Sequence, residues 1–535
     1  MNQPPPLVDY DLFAQNRPLA EALEREGAGW AAGQCTELGS LLTGEPLEWG
    51  RLANENPPRL RDDGEIELHP AWHELMRVSL AHGLHALSWT ESRPGAHVAR
   101  AALFYLDAQV EAGHGCPVSM THAAVPALRT AAPGLAAQWE PRLTSREYGR
   151  AALCGMTMTE QQGGSDLRAN TTRATPAGDG EYVLEGAKWF CSAPMSDAFF
   201  VLAQAPAGLS CFLVPRGEGF HVVRLKDKLG DRSNASAEIE LHGARGTLVG
   251  EEGRGARTIL EAVVHTRLDC VLGTAAAMRT AVEHATHHAA HRVAFGARLA
   301  DQPLMQSVLA DLCLESEAAT VTALRLARAY DRRASDAREA AFARVATAIA
   351  KYWVCKRGPG HAAEALECLG GNGYVEDYGL ARVYRQQPLQ SIWEGSGNVV
   401  CLDVLRALRR EPETLEALFD EIRLAGDPEL LAVAERAAAE ADERGARAAV
   451  ERIALALQAS LLARHAPAAV ADAFRAARLG GGHGLAYGAL PPGVDATAIV
   501  ERHRPVLGTN SQGLPSSERT RDAHARPADS LPAGA

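Results

Sequence analysis

The sequence predicts a mainly α-helical protein interrupted by one small antiparallel β domain. Three observations carry this. Alanine, leucine and arginine abound while aromatics make up only 5% of the 535 residues, a composition that favours helix. Apolar residues recur at helical spacing over most of the chain. Between about 152 and 252 the period changes to short strand-like runs separated by Gly, Pro and Asp.

Taken in order, residues 1–45 open as a Pro-rich arm (Pro4-Pro5-Pro6) that is not expected to pack as regular structure. Such arms reach onto a neighbouring subunit or stay disordered. Residues 46–151 read as an N-terminal helical domain, with apolar spacing clear over 72–80 and 98–106 and Pro117, Pro126 and Pro133 as punctuation. The β domain, 152–252, has strand-like runs at 181–186, 198–203, 210–215 and 237–241. Residues 253–410 hold helical segments at 258–291, 302–332, 338–355 and 359–369, lengths that suit a four-helix bundle. Residues 411–504 form a further helical domain. The 505–535 tail is rich in Ser, Pro, Arg and Asp without apolar period, and disorder is expected there.

Composition bounds the function classes. No apolar run is long enough to span a bilayer, and Met1-Asn2-Gln3-Pro4-Pro5-Pro6 is not a secretory signal. Ten scattered cysteines without a Cys-x-x-Cys pair read as reduced thiols of a cytoplasmic protein. A formal charge of −12 argues against nucleic-acid binding by the whole surface, but leaves room for a local basic patch. Neither a Walker P-loop nor Gly-x-Gly-x-x-Gly occurs.

Five stretches could carry chemistry. In Gln390-Ser391-Ile392-Trp393-Glu394-Gly395-Ser396-Gly397-Asn398, a carboxylate sits beside an indole and ahead of glycines that allow close backbone approach. Burial could raise the pKa of Glu394 toward that of a working base; the plainer reading is a helix end stopped by Gly. Met156-Thr157-Met158-Thr159-Glu160-Gln161-Gln162-Gly163-Gly164-Ser165-Asp166 offers hydroxyls and turn amides to a planar heterocycle, or is simply a strand and a tight turn. Trp189 and Phe190 beside Ser192 could stack on the same ring, or be core. Gly370-Gly371-Asn372-Gly373 could pass close to a cofactor, or cap a helix. His284, His287, His288 and His291 have i,i+4 spacing. No His-Glu-x-x-His run or cysteine partner supports a metal there, so a packed or solvated helix face, and no metal, is expected. Arg292, a cation near that helix end, suits a phosphate.

These stretches, in this order and at these distances over residues 50 to 410, resemble the acyl-CoA dehydrogenase flavoprotein family. The resemblance implies a helical domain, a β domain and a four-helix bundle, bound FAD, and a homotetramer. It implies that Met158 and Thr159 line the flavin, with Gly164, Ser165, Trp189, Phe190, Ser391, Trp393 and Asn398 about the cofactor. Ser192 takes the place of a threonine near flavin N5, and Ser396 that of the Thr in a Glu-Gly-Thr motif. Arg292, Phe295, Gly370 and Gly371 would reach the FAD of a neighbouring subunit. Glu394 matches the catalytic base. Glu367 and Pro303 replace family glutamines that help bind FAD.

Within the family the chain is similar to the AidB-like branch of the DNA alkylation response. The motifs are Arg25-Glu26-Gly27-Ala28-Gly29-Trp30, Gly50-Arg51-Leu52-Ala53-Asn54, Gln109-Val110-Glu111-Ala112-Gly113, Lys226-Asp227-Lys228-Leu229-Gly230, Arg232-Ser233-Asn234-Ala235-Ser236 and Cys401-Leu402-Asp403-Val404-Leu405-Arg406. That branch implies binding of double-stranded DNA by the C-terminal domain. From 411 to 443 the net charge is −9, from eleven acidic residues and two arginines; from 444 to 478 it is +4, from six arginines and two acids. Arg406, Arg444, Arg447, Arg452, Arg464, Arg475 and Arg478 are therefore the candidate phosphate contacts, with a solvated helix face as the bland alternative. The rival function is a metabolic acyl-CoA dehydrogenase acting on a short or branched acyl-CoA without a DNA role.

Overall fold

The computed structural model describes residues 2–481 and 484–507. Its N-terminal part is helical: α1 (Arg17–Arg25), α2 (Ala32–Leu42), α3 (Glu45–Glu55), a two-strand ribbon of β1 (Arg59–Leu60) and β2 (Ile66–Glu67), α4 (Pro70–Ala81), α5 (Leu87–Thr90), α6 (Ala96–Val110), α7 (Gly115–Ala131) and α8 (Pro133–Leu143). The expected irregular arm is shorter than 45 residues. The Asn16 side chain accepts from the Leu19 amide to start α1, and Leu19, Leu23, Leu38 and Leu42 are buried in the main core. The extreme N-terminus lies on its own subunit. Asn2 Nδ2 donates to the Val293 carbonyl (2.6 Å), Asn372 to Gln3 (3.0 Å), and His287 to the Pro5 carbonyl (2.8 Å).

The β part is one seven-stranded sheet of β3 (Cys154–Thr157), β4 (Arg173–Gly178), β5 (Glu181–Ser192), β6 (Ala198–Ala205), β7 (Gly208–Pro215), β8 (Phe220–Leu225) and β9 (Ser236–Val249). The path runs β3-β6-β4-β5-β9-β7, β8 pairs with β9, and a β6–β7 pairing closes it on itself. Most pairs are antiparallel; β3 and β4 run parallel to β6. The closed face is filled by Leu184, Phe199, Val201, Phe212, Ile239 and Leu241, the alternate residues of their strands.

Then come α9 (Gly255–His291), the hairpin β10 (Val293–Ala294) and β11 (Ala297–Arg298), α10 (Pro303–Arg332), α11 (Ala337–Cys368), α12 (Leu380–Gln390) and α13 (Gly397–Arg410). The sequence splits α11 at Gly358-Pro359, but the structure carries one helix through both residues. Packing outweighs the lost amide donor of Pro359. A side chain at Gly358 would meet Gln387 of α12 at 2.2 Å, so glycine is what lets the two helices close.

Five further helices follow: α14 (Pro412–Arg423), α15 (Pro428–Ala439), α16 (Ala446–His465), α17 (Ala468–Arg478) and α18 (Ala496–His503). They are built onto the bundle. Arg325 of α10 is buried between Glu339 of α11 and Glu421 of α14, and Trp353 Nε1 donates to Gln458 of α16 at 3.1 Å. No helix among the described residues is long and apolar enough to cross a membrane. All ten cysteines are free and buried. Apart from 505–507, the 505–535 tail lies outside the described residues.

Candidate active site

Glu394 occupies a turn between α12 and α13 with φ +56, a left-handed conformation that a non-glycine residue rarely adopts; Gly395 follows at φ +105. Two cations hold that turn. Arg267 Nε of α9 donates to the Glu394 carbonyl (2.9 Å), and Lys351 Nζ of α11 to the Gly395 carbonyl (2.5 Å). Arg267 is itself fixed by Asp403 of α13 at 2.9 Å. The residue is half-buried, with Oε2 shielded from solvent and without a protein partner among the described residues. Burial raises its pKa above the usual carboxylate range; Arg267, the Thr266 hydroxyl and Lys351 pull the other way. The turn therefore presents a carboxylate whose proton affinity is raised and whose free oxygen awaits a partner.

The rate of any reaction in which Glu394 accepts a proton falls as pH drops through that raised pKa. Lys351→Met removes one of the charges that lower it. The acid limb of the pH–rate profile is then expected at higher pH than in the unaltered chain, measured with the flavin and acyl-CoA that the family resemblance implies.

The β domain brings the second set of residues. Glu160 is buried against Lys188 (2.6 Å) and accepts from Thr171 and Thr172, which pins the preceding residues to β5. Burial would raise the Glu160 carboxyl, yet Lys188 and these donors hold it at about 2. Trp189 N–H donates to the Thr159 carbonyl at 2.8 Å, and Thr159 faces Phe190 across a β-bridge. A side chain at Gly164 would crowd the Thr159 methyl at 3.3 Å; Ser165 continues that turn. Phe190 is 45% exposed, and Lys226 Nζ lies 3.3 Å from the Trp189 ring centre.

The two sets meet. Trp393, Met158 and Cys116 belong to one apolar cluster. The Cys116 thiol contacts Ser192 and feels the charge of Glu394. Ser391 bonds back to the Pro388 carbonyl (3.2 Å) and Trp393 Nε1 to Gln390 (3.0 Å), so neither side chain's polar group is free. Ser396 precedes α13, and Asn398 is exposed in its first turn.

A third set lies elsewhere. Arg292 ends α9, 25 positions after Arg267, about 37 Å along the helix at 1.5 Å per residue. Beside it Phe295, at φ +54, is 98% exposed. Gly370 and Gly371 open the short turn that follows α11, and Tyr374 in that turn is 88% exposed. Arg292, Phe295, Gly370 and Gly371 are thus separated from the Glu394 turn by most of the length of α9. Of the histidines on α9, His287 and His291 already bond to backbone carbonyls.

Several residues here had no signal in the sequence. Arg267 and Lys351 sit mid-helix. Asp231, at φ +49, is buried with both carboxylate oxygens unpartnered, and burial lifts its pKa to about 7. Glu261, also on α9, is paired with Arg333 at 2.6 Å.

Residues 2–150 match the family described as adaptive response protein AidB N-terminal domain. Residues 155–244 match the acyl-CoA dehydrogenase middle domain, and 253–409 the acyl-CoA dehydrogenase C-terminal domain. AidB of Escherichia coli (strain K12) is 49% identical over 443 residues, 78% of this chain and 82% of that protein. The chain belongs to the acyl-CoA dehydrogenase family. Acyl-CoA dehydrogenase family member 11 of Caenorhabditis elegans is 30% identical, over 75% of this chain and 70% of that one. Among solved structures, the apo-form of Bd2924 superposes with a TM-score of 0.82 at 28% identity, over 87% of this chain and all of that chain. The C. elegans ACDH-11 complex with C11-CoA superposes at 0.81 with 25% identity, over 95% and 93%. The protein is thus an acyl-CoA dehydrogenase-like oxidoreductase whose cofactor is FAD. Features of the site fit that group: the half-exposed Phe190 near the end of β5, the orphaned Oε2 of Glu394, and the shared apolar cluster of Met158 and Trp393 beside them in the chain.

Proposed function

We propose that the chain is a cytoplasmic, FAD-containing flavoprotein of the DNA alkylation response that binds double-stranded DNA as a homotetramer and retains weak acyl-CoA dehydrogenase-type activity. Its likeness to AidB of E. coli supports the branch. FAD supplies the hydride acceptor. Glu394 takes the α-proton of the acyl thioester on its free oxygen, while Arg267 and Lys351 keep its backbone in place. Met158, Thr159 and Ser192 orient the flavin, and Trp393 helps to exclude water. Arg292, Phe295, Gly370 and Gly371 reach the cofactor of a second copy.

The observation that carries the DNA reading is the surface of α13 and α16, which pack side by side. Arg406 of α13, Arg447 and Arg452 of α16 and Arg444 just before α16 are all exposed, and Arg452 lines a cleft with Arg436 of α15 and Glu440 just after it. Arg447 lies over the Tyr352 ring, and a side chain at Gly397 would meet Lys356 at 3.1 Å. A side chain at Gly397 would also meet Tyr352 at 3.4 Å, so Arg447 stands next to the turn that follows Glu394. Three other candidates have protein partners. Arg464 pairs with Glu421 at 2.6 Å, Arg478 with Asp311 at 2.5 Å and Glu315 at 3.0 Å, and Arg475 with Asp427 at 3.2 Å and Glu429. They contribute less to phosphate binding.

Duplex affinity should fall steeply with salt, and Arg406→Ala or Arg447→Ala should each flatten the logarithmic slope by about one unit. A titration of full-length protein over a salt series measures this. Removing the chain after Arg410 would expose the α10 and α11 core, so point variants are the better probe. Absence of duplex binding even at low salt would leave the metabolic reading, which the acyl-CoA complex of the C. elegans relative favours.

A further inference from the structure

We propose that His97, His122 and His265 form a binding site for a divalent transition-metal ion of the zinc class, built where α6, α7 and α9 meet. One nitrogen from each ring lies within 4.8 Å of the other two. An ion at the centre of such a triangle sits about 2.8 Å from each corner, against about 2.0–2.1 Å for a Zn–N bond, so each ring closes in by about 0.7 Å. His122 and His265 are buried, and His97 is partly open to solvent, which leaves a fourth position for water or an incoming ligand.

The lone pairs are in place. The His122 Nδ1 faces the His85 carbonyl at 3.3 Å; a carbonyl only accepts, so Nδ1 carries the proton and Nε2 is free to bind. A second bond of this kind orients metal-bound histidines generally. His265 Nδ1 is buried with no partner. The one hydrogen bond of His97 among the described residues is made by its backbone N–H, to Asp331 at 3.1 Å. The buried His265 Nδ1, left without a partner, is a cost to the fold that a metal ion or a shared proton would remove.

The walls suit an ion as well. Trp89 stacks on His122 at 4.8 Å and Tyr330 meets the His265 ring edge-on at 5.0 Å, which holds both rings. Two cations face the cluster, Arg100 and Arg333. Each is neutralised, Arg100 by both oxygens of Asp269 and Arg333 by Glu261. The three ligands come from separate helices, so no His-x-x-x-His spacing advertises them.

The test uses tag-free, full-length protein loaded with FAD. After exposure to Zn2+ and desalting, elemental analysis should find one zinc per chain in addition to any carried by surface groups. Addition of Zn2+ should raise the thermal midpoint, because binding to the folded state alone stabilises it. Co2+ in place of Zn2+ should give the visible bands of a nitrogen-ligated ion. His265→Gln should lose all three signals. His97→Gln, at the open edge of the cluster, should lose them too and carries the test if the buried variant does not fold. Wild-type protein that stays metal-free after zinc exposure with an unmoved midpoint would overturn the proposal. So would a His97→Gln protein that holds as much zinc as wild type.

Discussion

Glu394→Gln is expected to slow flavin bleaching by acyl-CoA by about 10²–10⁴-fold, the usual contribution of a positioned general base. The amide is nearly the same size as the carboxyl but cannot accept a proton. Arg267 and Lys351 bind the backbone of the turn rather than the side chain, so the φ +56 conformation should survive. FAD content, read from the visible spectrum, should be unchanged. Stopped-flow bleaching of wild type and variant at equal flavin loading measures the ratio. A variant that bleaches at the wild-type rate would place the base elsewhere.

Asp269→Ala should lower stability by about 3–5 kcal/mol, the cost of leaving a buried charge without its partner. Asp269 of α9 binds two guanidinium nitrogens of Arg100 on α6, one at 2.9 Å, and accepts from Ser119 of α7 at 2.6 Å. Both ion-pair side chains are under 5% exposed. The alanine variant strands the Arg100 charge, whose Nε still donates to the Leu84 carbonyl at 2.7 Å. Chemical denaturation followed by flavin and tryptophan fluorescence gives the loss. A midpoint equal to that of wild type would mean that water or a rearranged side chain replaces Asp269.

Much of the fold was legible because it is local. The apolar spacing of α9 and α10 and the short apolar runs of β5, β6, β7 and β9, bounded by Gly, Pro and Asp, each follow from near neighbours in the chain. The misreadings have physical causes. Pro359 looked like a break, but close packing through Gly358 carries α11 across it. Pro4-Pro5-Pro6 suggested a long irregular arm, whereas Asn16 caps a helix a few residues later. The Glu394 turn and the aromatic pair Trp189-Phe190 stood out because glycine, acid and aromatic residues are adjacent in the chain.

By itself the sequence determined the helix-rich class, the β insertion, the family motifs and the carboxylate at Glu394, all properties of short stretches. Only the tertiary structure decided what those stretches meet. It set Arg267 and Lys351 against the Glu394 turn across 127 and 44 residues. It gave Arg478 to Asp311 and Glu315 while leaving Arg406 and Arg447 exposed. It gathered three histidines from three helices. The reason is that an ion pair, a backbone clamp or a ligand triangle depends on distances of a few ångströms between chain-distant groups. The order of residues along one segment carries no record of those distances.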